Sequence, residues 1–258
     1  MKNYKVCWIT LCYNEIDILP FVTPYWERIG CDVVVWDNGS TDGSIEYLQS
    51  LPYVTVNHFE SQGQNDVIQK EVKEKAYLEL KDKYDFIIIS DMDEVFYFRN
   101  FDVLLEEMTA KNYNALIVPI HSLCEESKPI QVDGKYLHQL CHLFYKQRMN
   151  HMNNLGDYSK ISIFNCKITD KVLMSVGQHY VQTSPTMKIL LSKDDFCLHV
   201  DKGFGESYFI KKRQKMGANL SETNKRGGMC TEYLKNVEEL KQEYAEKQKK
   251  SYDLNKIL

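Results

Sequence analysis

A chain of 258 residues, 43% of them hydrophobic, is long enough to bury a sizeable core, which argues against disorder and suggests one large domain or one domain with an appendage. A formal net charge of -4 gives no global electrostatic case for a nucleic-acid partner. No apolar run approaches the ~20 residues of a membrane span, and the opening MKNYKVCWITL is too polar for a secretory signal, so the expectation is a soluble cytoplasmic protein, with peripheral attachment at the cytoplasmic face of a membrane left open.

KVCWITL, residues 5–11, reads as a short apolar strand, followed by the polar CYNE and a helical stretch that contains Pro20 and Pro24 and stops at Gly30. Two prolines predict that this helix starts late or is broken. CDVVVWD, 31–37, is a second strand, and NGSTDGS, 38–44, supplies turn residues and an N-cap, Thr41 or Asp42, for a helix through IEYLQS. YVTVNHF, 53–59, is a third strand. In DVIQKEVKEKAYLELKDKY, 66–84, Ile68, Val72, Ala76 and Leu80 recur every four residues, an apolar stripe on a helix whose charges read as a solvated face. DFIIIS, 85–90, is a fourth strand, FDVLLEEMTAK a helix and NALIVPIH a fifth strand.

Near-continuous β-branched strands separated by helices describe a parallel sheet covered on both faces. Ligands of such sheets gather at the carboxyl edge of the strands. YNE, DNGSTD and the carboxylates Asp91, Asp93 and Glu94 all follow strand ends, so three polar clusters are expected on one edge.

After about residue 121 the pattern loosens. ESKPIQVDGKY carries turn chemistry, HQLCHLFYKQRMNHMNNLGDYS mixes aromatics with His, Asn and Gln, and KISIFN and KVLMSVGQHYV look like strands. FGESYFIKKRQKM reads as a helix carrying Lys211, Lys212 and Arg213, three consecutive residues that cannot all face one ligand. EYLKNVEELKQEYAEKQKK sets Leu234, Val237, Leu240 and Tyr244 at helical spacing, for docking onto the body or a partner helix. The eight cysteines include no CxxC pair and are expected as scattered, reduced core residues.

In extended backbone, alternate side chains point the same way, so Asp91 and Asp93 are expected to face together with Met92 turned to the core. Two hard oxygen ligands at that spacing suit Mg²⁺ or Mn²⁺ with positions left for phosphate oxygens.

TLCYNE, VVVWDNGSTDGSIEYL and IIISDMDE, in that order within residues 5–98, resemble the nucleotide-sugar-binding half of GT-A-fold glycosyltransferases, in particular family 2. The resemblance implies an α/β, GT-A-type open, mostly parallel sheet with helices on both faces, followed by an acceptor-side region and a terminal helix. Residues 1–120 would bind the nucleotide sugar, 121–230 would form the acceptor-side half that closes over metal and pyrophosphate, and 231–258 the C-terminal helix. By the same resemblance Tyr13, Asn14, Glu15 and Asp37 would hold the nucleobase, typically uracil, with Asp37 accepting a base N–H, and Asn38 would also bind the nucleotide sugar. Asp91 would bind the ribose or assist the metal, Asp93 would ligate Mn²⁺ or Mg²⁺, and Glu94 would support them or be a plain surface residue. His199, with His179 as the alternative, is the third metal ligand; Lys212, among Lys211–Arg213, and Lys160 are cations for the diphosphate.

The implied activity is transfer of a sugar from a nucleotide sugar, most simply UDP-linked, to a glycan or glycolipid acceptor, with inversion. The family's acidic pair for the catalytic base has only rough counterparts here, Asp157 in GDYS and Glu125 with Glu126 in LCEES. Two rival readings remain. A haloacid-dehalogenase-like phosphatase also uses DxD after an apolar strand, although Val95 stands where its hydroxyl residue belongs. A transferase relative that binds nucleotide or glycan without turnover is the other.

Overall fold

The computed structural model describes residues 4–146, 159–178, 180–186, 188–192 and 194–253. Strands β1 (Val6–Cys12), β2 (Cys31–Asp37), β3 (Val54–His58) and β4 (Phe86–Ile89) form parallel ladders in the spatial order β3-β2-β1-β4. They are followed in the chain by β5 (Glu94–Tyr97), β6 (Ala115–Leu123), β7 (Leu143–Lys146), β8 (Ser159–Asn165), β9 (Lys171–Met174), β10 (Val181–Ser184), β11 (Ile189–Leu191), β12 (Phe196–His199) and β13 (Tyr252–Asp253). β8 runs antiparallel between β4 and β6, and the sheet continues through β7 to β13. β11 and β12 pair in parallel with β6, β5 pairs antiparallel with β12, and β9 and β10 make a separate hairpin. The helices are α1 (Leu19–Arg28), α2 (Ser44–Gln49), α3 (Asp66–Leu80), α4 (Phe101–Ala110), α5 (Leu137–Leu140), α6 (Glu206–Ala218), α7 (Glu222–Arg226) and α8 (Val237–Lys249). The protein is therefore α/β, a mixed open sheet with helices on both faces. Its later half is not set apart, because β8 threads directly into the sheet.

Strand alternation builds two cores. Val6, Trp8, Val33, Val35, Phe86 and Ile88 face α1, whose Leu19, Val22 and Trp26 cover them. Cys7, Ile9, Val34, Ile87 and Ile89 face the other way, toward Ala76 and Tyr77 of α3. Trp8 stacks on Trp26 with ring centroids 4.6 Å apart, and its indole N–H donates to Ser90 Oγ at 2.8 Å. Burying such a side chain stabilises the fold by roughly 1.5–3 kcal/mol, so the two layers together fix the sheet.

Several local expectations are adjusted. α1 begins with Pro20 in its first turn and runs through Pro24 unbroken. Proline lacks the N–H that would bond the Pro20 carbonyl, and the Gln131 side-chain amide donates there instead, at 2.7 Å. α2 is capped at Gly43, with φ of 93°, and not at Thr41 or Asp42; the Asp42 carboxylate still accepts the Ser44 N–H at 3.1 Å. On α3 the buried side chains are Asp66, Lys73, Ala76 and Tyr77, so two of the charges read as solvated, Asp66 and Lys73, lie in the interior. Within EYLKNVEELKQEYAEKQKK, Leu240 and Tyr244 pack against Cys124 and Phe209, whereas Leu234 sits in a short turn ahead of α8 and is 56% exposed. All eight cysteines are free, and seven are buried. Among the described residues no helix is long and apolar enough to cross a membrane.

His138, on α5, packs against Tyr97 with centroids 4.1 Å apart, and its Nδ1 is buried without a hydrogen-bond partner among the described residues. Burial, aided by Arg28, pushes its pKa down to about 4. The folded imidazole thus stays neutral where the unfolded one, at about 6.5, already binds a proton. Stability is fully present above pH ~6.5 and is lost as pH falls toward the folded value, by on the order of 2–3 kcal/mol. Urea midpoints measured from pH 7 to 4.5 should fall in wild type and flatten in His138→Phe.

Candidate functional site

The carboxyl ends of β1, β2, β4 and β12 reach one edge, since β12 runs parallel to β6 and β6 runs antiparallel to β8, which is itself antiparallel to β4. The first two loops are stitched together. Asn14, at φ of 56°, accepts the Thr41 N–H at 2.6 Å and gives its own N–H to Ser40 Oγ at 2.7 Å, while the Glu15 N–H goes to Ser44 Oγ at 2.9 Å. Asn38 bonds Ser61 in both directions, at 2.7 and 3.0 Å, and so joins the next loop to them.

Asp37 departs from the role given to it. One of its oxygens accepts the Gly39 and Ser40 N–H groups at 2.8 and 2.9 Å, the other accepts Ser40 Oγ–H at 2.5 Å, and the residue is buried. A carboxylate so occupied shapes the loop, and Asp37 does not line the cavity described below.

The acidic segment is a turn and not the extended run expected, because the Glu94 N–H bonds back to the Asp91 carbonyl at 3.0 Å. Met92 is buried as expected, yet the two aspartates face different cations. Lys73 Nζ lies 2.5 Å from Asp91 Oδ1, and Lys160 Nζ bridges Asp91 Oδ2, at 3.4 Å, and Glu94 Oε2. Lys212 Nζ is 2.6 Å from Asp93 Oδ2, with His199 Nε2 at 3.4 Å from the same oxygen. Glu94 is not a surface residue: it is buried, and its Oε2 also accepts the Asp91 N–H at 3.0 Å.

Backbone topology explains how these cations arrive. β8 is antiparallel to β4, so its beginning, with Lys160, lies at the edge where β4 ends. The β6–β8 register slips at Leu116/Ile117, which puts Ile161 on the same face as Phe164 and turns Lys160 to the opposite one. On α6, Lys212 turns to Asp93, Arg213 turns to buried Asp201 at 2.5 Å, and Lys211 is exposed. Asp201 also pairs with Lys202 at 2.5 Å.

Ionisation follows from these contacts. Burial works to raise the Asp91 carboxyl, but Lys160 and Lys73 together hold it below the ordinary carboxylate range. Burial opposes ionisation of Asp93 too, and Lys212 and His199 overcome it. His199 is raised despite burial, chiefly by Asp93, and Lys212 is raised by Asp93 and Glu15. Burial lifts the Glu15 carboxyl to about 7 against the pull of Lys212.

Glu15, Lys73, Asp91, Asp93, His199 and Lys212 line a cavity of about 690 Å³ that also meets Tyr13, Gln69, Gln178, Met216 and Tyr233. A smaller cavity of about 150 Å³ continues it through Tyr13, Glu15 and Lys212 to Tyr208, Lys215 and Asn219. The outer wall is held by the Gln64 N–H to the Asn219 carbonyl at 2.6 Å and the Ser221 N–H to the Gln64 carbonyl at 3.1 Å. Gly63 permits this approach: at φ of +93° a Cβ there would stand 2.4 Å from the Asn219 oxygen.

Tyr13, Glu15, Asn38, Asp91, Asp93, His199 and Lys212 thus meet in one place, with Asn14 in the smaller branch and Lys160 reaching Asp91 from beneath. Glu125 does not join them. Its Oε1 accepts the N–H groups of His142 and, at 2.7 Å, Leu143, which spends it on the entry to β7; Glu126 does not line the cavity either. Asp157 and His179 lie outside the described residues. Lys73 and Gln178 were missed by sequence reasoning. Gln178 donates to the β4 carbonyl of Ile89 at 2.7 Å and accepts from Lys73 at 3.4 Å.

Among the described residues no group of three His, Cys, Asp or Glu side chains could hold a metal ion. Asp93 and His199 are adjacent, but Asp91 is turned to two ammonium groups and Asp93 to a third. Carboxylates already neutralised by lysine do not fit a divalent cation in this arrangement.

Fold and edge together define an α/β domain with a charged, nucleotide-sized cavity at its strand ends. Among solved structures the chain is similar to S. aureus TarS 1-349, at 12% identity with a TM-score of 0.45, covering 89% of this chain and 70% of that one. It is similar also to TarS 1-349 in complex with UDP, at 11% identity and a TM-score of 0.46 over the same shares. A third similar structure is 4-diphosphocytidyl-2C-methyl-D-erythritol synthase, at 14% identity and a TM-score of 0.39, covering 65% of this chain and 78% of that one. Against the longer TarS structure the chain spans 43% of the length. No protein-family model and no curated protein matches the sequence.

Proposed function

We propose that this protein is a glycosyltransferase that takes a sugar from a nucleoside-diphosphate donor, UDP-linked in the simplest reading, and passes it to a hydroxyl of a glycan or glycolipid. The observation that carries the reading is the convergence of the YNE loop, the acidic turn and the cations Lys73 and Lys212 around one 690 Å³ cavity at the strand ends, with Lys160 behind the turn. The base is placed against Tyr13 in the smaller branch, where Lys215 already lies 5.7 Å from the ring centroid, and the diphosphate against Lys212. Breaking the sugar–phosphate bond leaves negative charge on the departing diphosphate, and fixed ammonium groups stabilise it where it develops. The sugar then extends toward Met174, Gln178 and Tyr233, which makes that end of the cavity the acceptor side. An acceptor hydroxyl attacking from there, opposite the nucleotide, gives inversion, its proton passing to a base on the acceptor side as the bond to the diphosphate breaks.

The test is thermal stabilisation of the purified chain by a panel of nucleoside diphosphates, followed by donor-hydrolysis assays with the matching nucleotide sugars. One diphosphate should raise the melting temperature by several degrees at saturating concentration, because it binds only the folded state. A flat panel combined with phosphate release from a generic ester, lost in Asp91→Ala, would replace this reading with a phosphatase.

A further inference from the structure

Each carboxylate of the acidic turn has an ammonium partner supplied by a different element. Lys73 comes from α3, Lys160 from the start of β8 and Lys212 from α6, and their side chains are 7%, 2% and 11% exposed. Among the described residues Asp91 pairs with Lys73, Glu94 with Lys160 and Asp93 with Lys212. Two of these cations are bound into the fold: Lys160 lies beneath the turn against Glu94, and Lys73 is bracketed by Asp91 and Gln178. A divalent ion entering between Asp91 and Asp93 would have to displace the Lys73 and Lys212 ammonium groups already seated on them.

We propose that the acidic turn is a lysine-neutralised site which receives the donor diphosphate without a divalent metal, Lys212 being the group that touches the phosphate oxygens. This inference rests on the donor reading above and deepens it. An ammonium carries three donors, and the Lys212 contact to Asp93 uses one of them. The rest of the group faces both cavities, which Lys212 lines together with Tyr13 and Glu15. Asp93 holds that ammonium in position, and Tyr208, its ring centroid 6.0 Å from Nζ, flanks the stem. Lys73 and Lys160 keep Asp91 and Glu94 neutralised, so the turn presents no net negative charge to an arriving diphosphate. In this arrangement the aspartates are positioning residues and the lysine is the binding one.

The experiment measures UDP binding to the full chain by calorimetry and by thermal shift, in EDTA, in Mn²⁺ and in Mg²⁺, with Mn²⁺ alone as a further arm. The expected result is equal affinity in EDTA and in either metal, no thermal shift from Mn²⁺ alone, and a loss of ~10-fold or more in Lys212→Ala. Lys212→Arg, which keeps the charge, should retain metal-independent binding, and its melting curve guards against simple misfolding of the alanine variant. Binding that appears only with Mn²⁺ or Mg²⁺, or a Mn²⁺-alone shift abolished in Asp93→Ala, overturns the inference and leaves the donor reading standing. Absence of binding by UDP and by every other nucleoside diphosphate, in all three conditions, overturns the donor reading and this inference with it.

Discussion

Replacing Asp201 by alanine is expected to cost about 3–5 kcal/mol of unfolding free energy. Its carboxylate lies 2.5 Å from both Lys202 Nζ and Arg213 Nη2, and all three residues are buried. Removing it leaves two cations in a low-dielectric setting, and Glu243, 3.8 Å from Lys202, replaces only part of what is lost. Arg213 would keep its ring contacts, 5.3 Å to Phe209 and 4.7 Å to Tyr233, but those do not neutralise it. The measurement is a urea midpoint, with an unchanged slope showing that the native state is intact. Acid provides a second readout. Burial opposes ionisation of Asp201, yet Arg213 and Lys202 hold its carboxyl well below the usual range. A depressed folded pKa contributes stability above the unfolded value, about 3.9, that is lost as pH falls through the folded one. The Asp201 share of wild-type stability should therefore be lost only below pH ~4, beneath the window in which His138 acts, and Asp201→Ala should lose less there than wild type.

The second large effect is on turnover. Lys73→Ala is expected to lower donor-dependent kcat/KM by about 10²- to 10³-fold, the magnitude seen when one fixed charge-stabilising group is removed from an active site. Its ammonium is the closest cation to Asp91, so without it the turn gains net negative charge beside the diphosphate. Stability should fall far less than turnover, because the Asp91 side chain is 45% exposed and keeps Lys160 at 3.4 Å. Donor-hydrolysis kinetics beside a urea midpoint separate the two effects. Comparable losses in both would recast Lys73 as structural.

Lys73 also marks where sequence reading stopped. It sits among Lys70, Glu71, Glu74 and Lys75 on α3, and nothing local distinguishes a buried lysine from its solvated neighbours; only the position of α3 over the end of β4 does. The acidic turn was legible because charge directly after a wholly buried strand such as β4 demands a reason. Its geometry was not, since a turn closed by the Glu94 N–H and an extended run share the same residues. Asp37 and Glu125 share one feature that sequence does not show: backbone N–H groups engage both carboxylates, and a loop carboxylate carries no sequence mark of that. Lys160 was found at the start of a strand, yet its importance depended on β8 running against β4, which is a property of pairing and not of composition. The layers themselves were the most readable part, because the burial alternation of β1, β2 and β4 is written in Val, Ile and Trp.

Neighbouring residues Lys212 and Arg213 sit about 100° apart around the axis of α6, and each is seated on its own carboxylate, Asp93 and Asp201. Such a pair works as a rotational latch: the helix cannot roll to follow a ligand without unseating one of them. One residue inserted between Gly205 and Lys212 would spin the sequel by that same angle and carry the lysine away from Asp93. Spacing from the helix start is thus under as strict a demand as the identity of either cation, and grafting this site elsewhere would require copying the count as well as the letters.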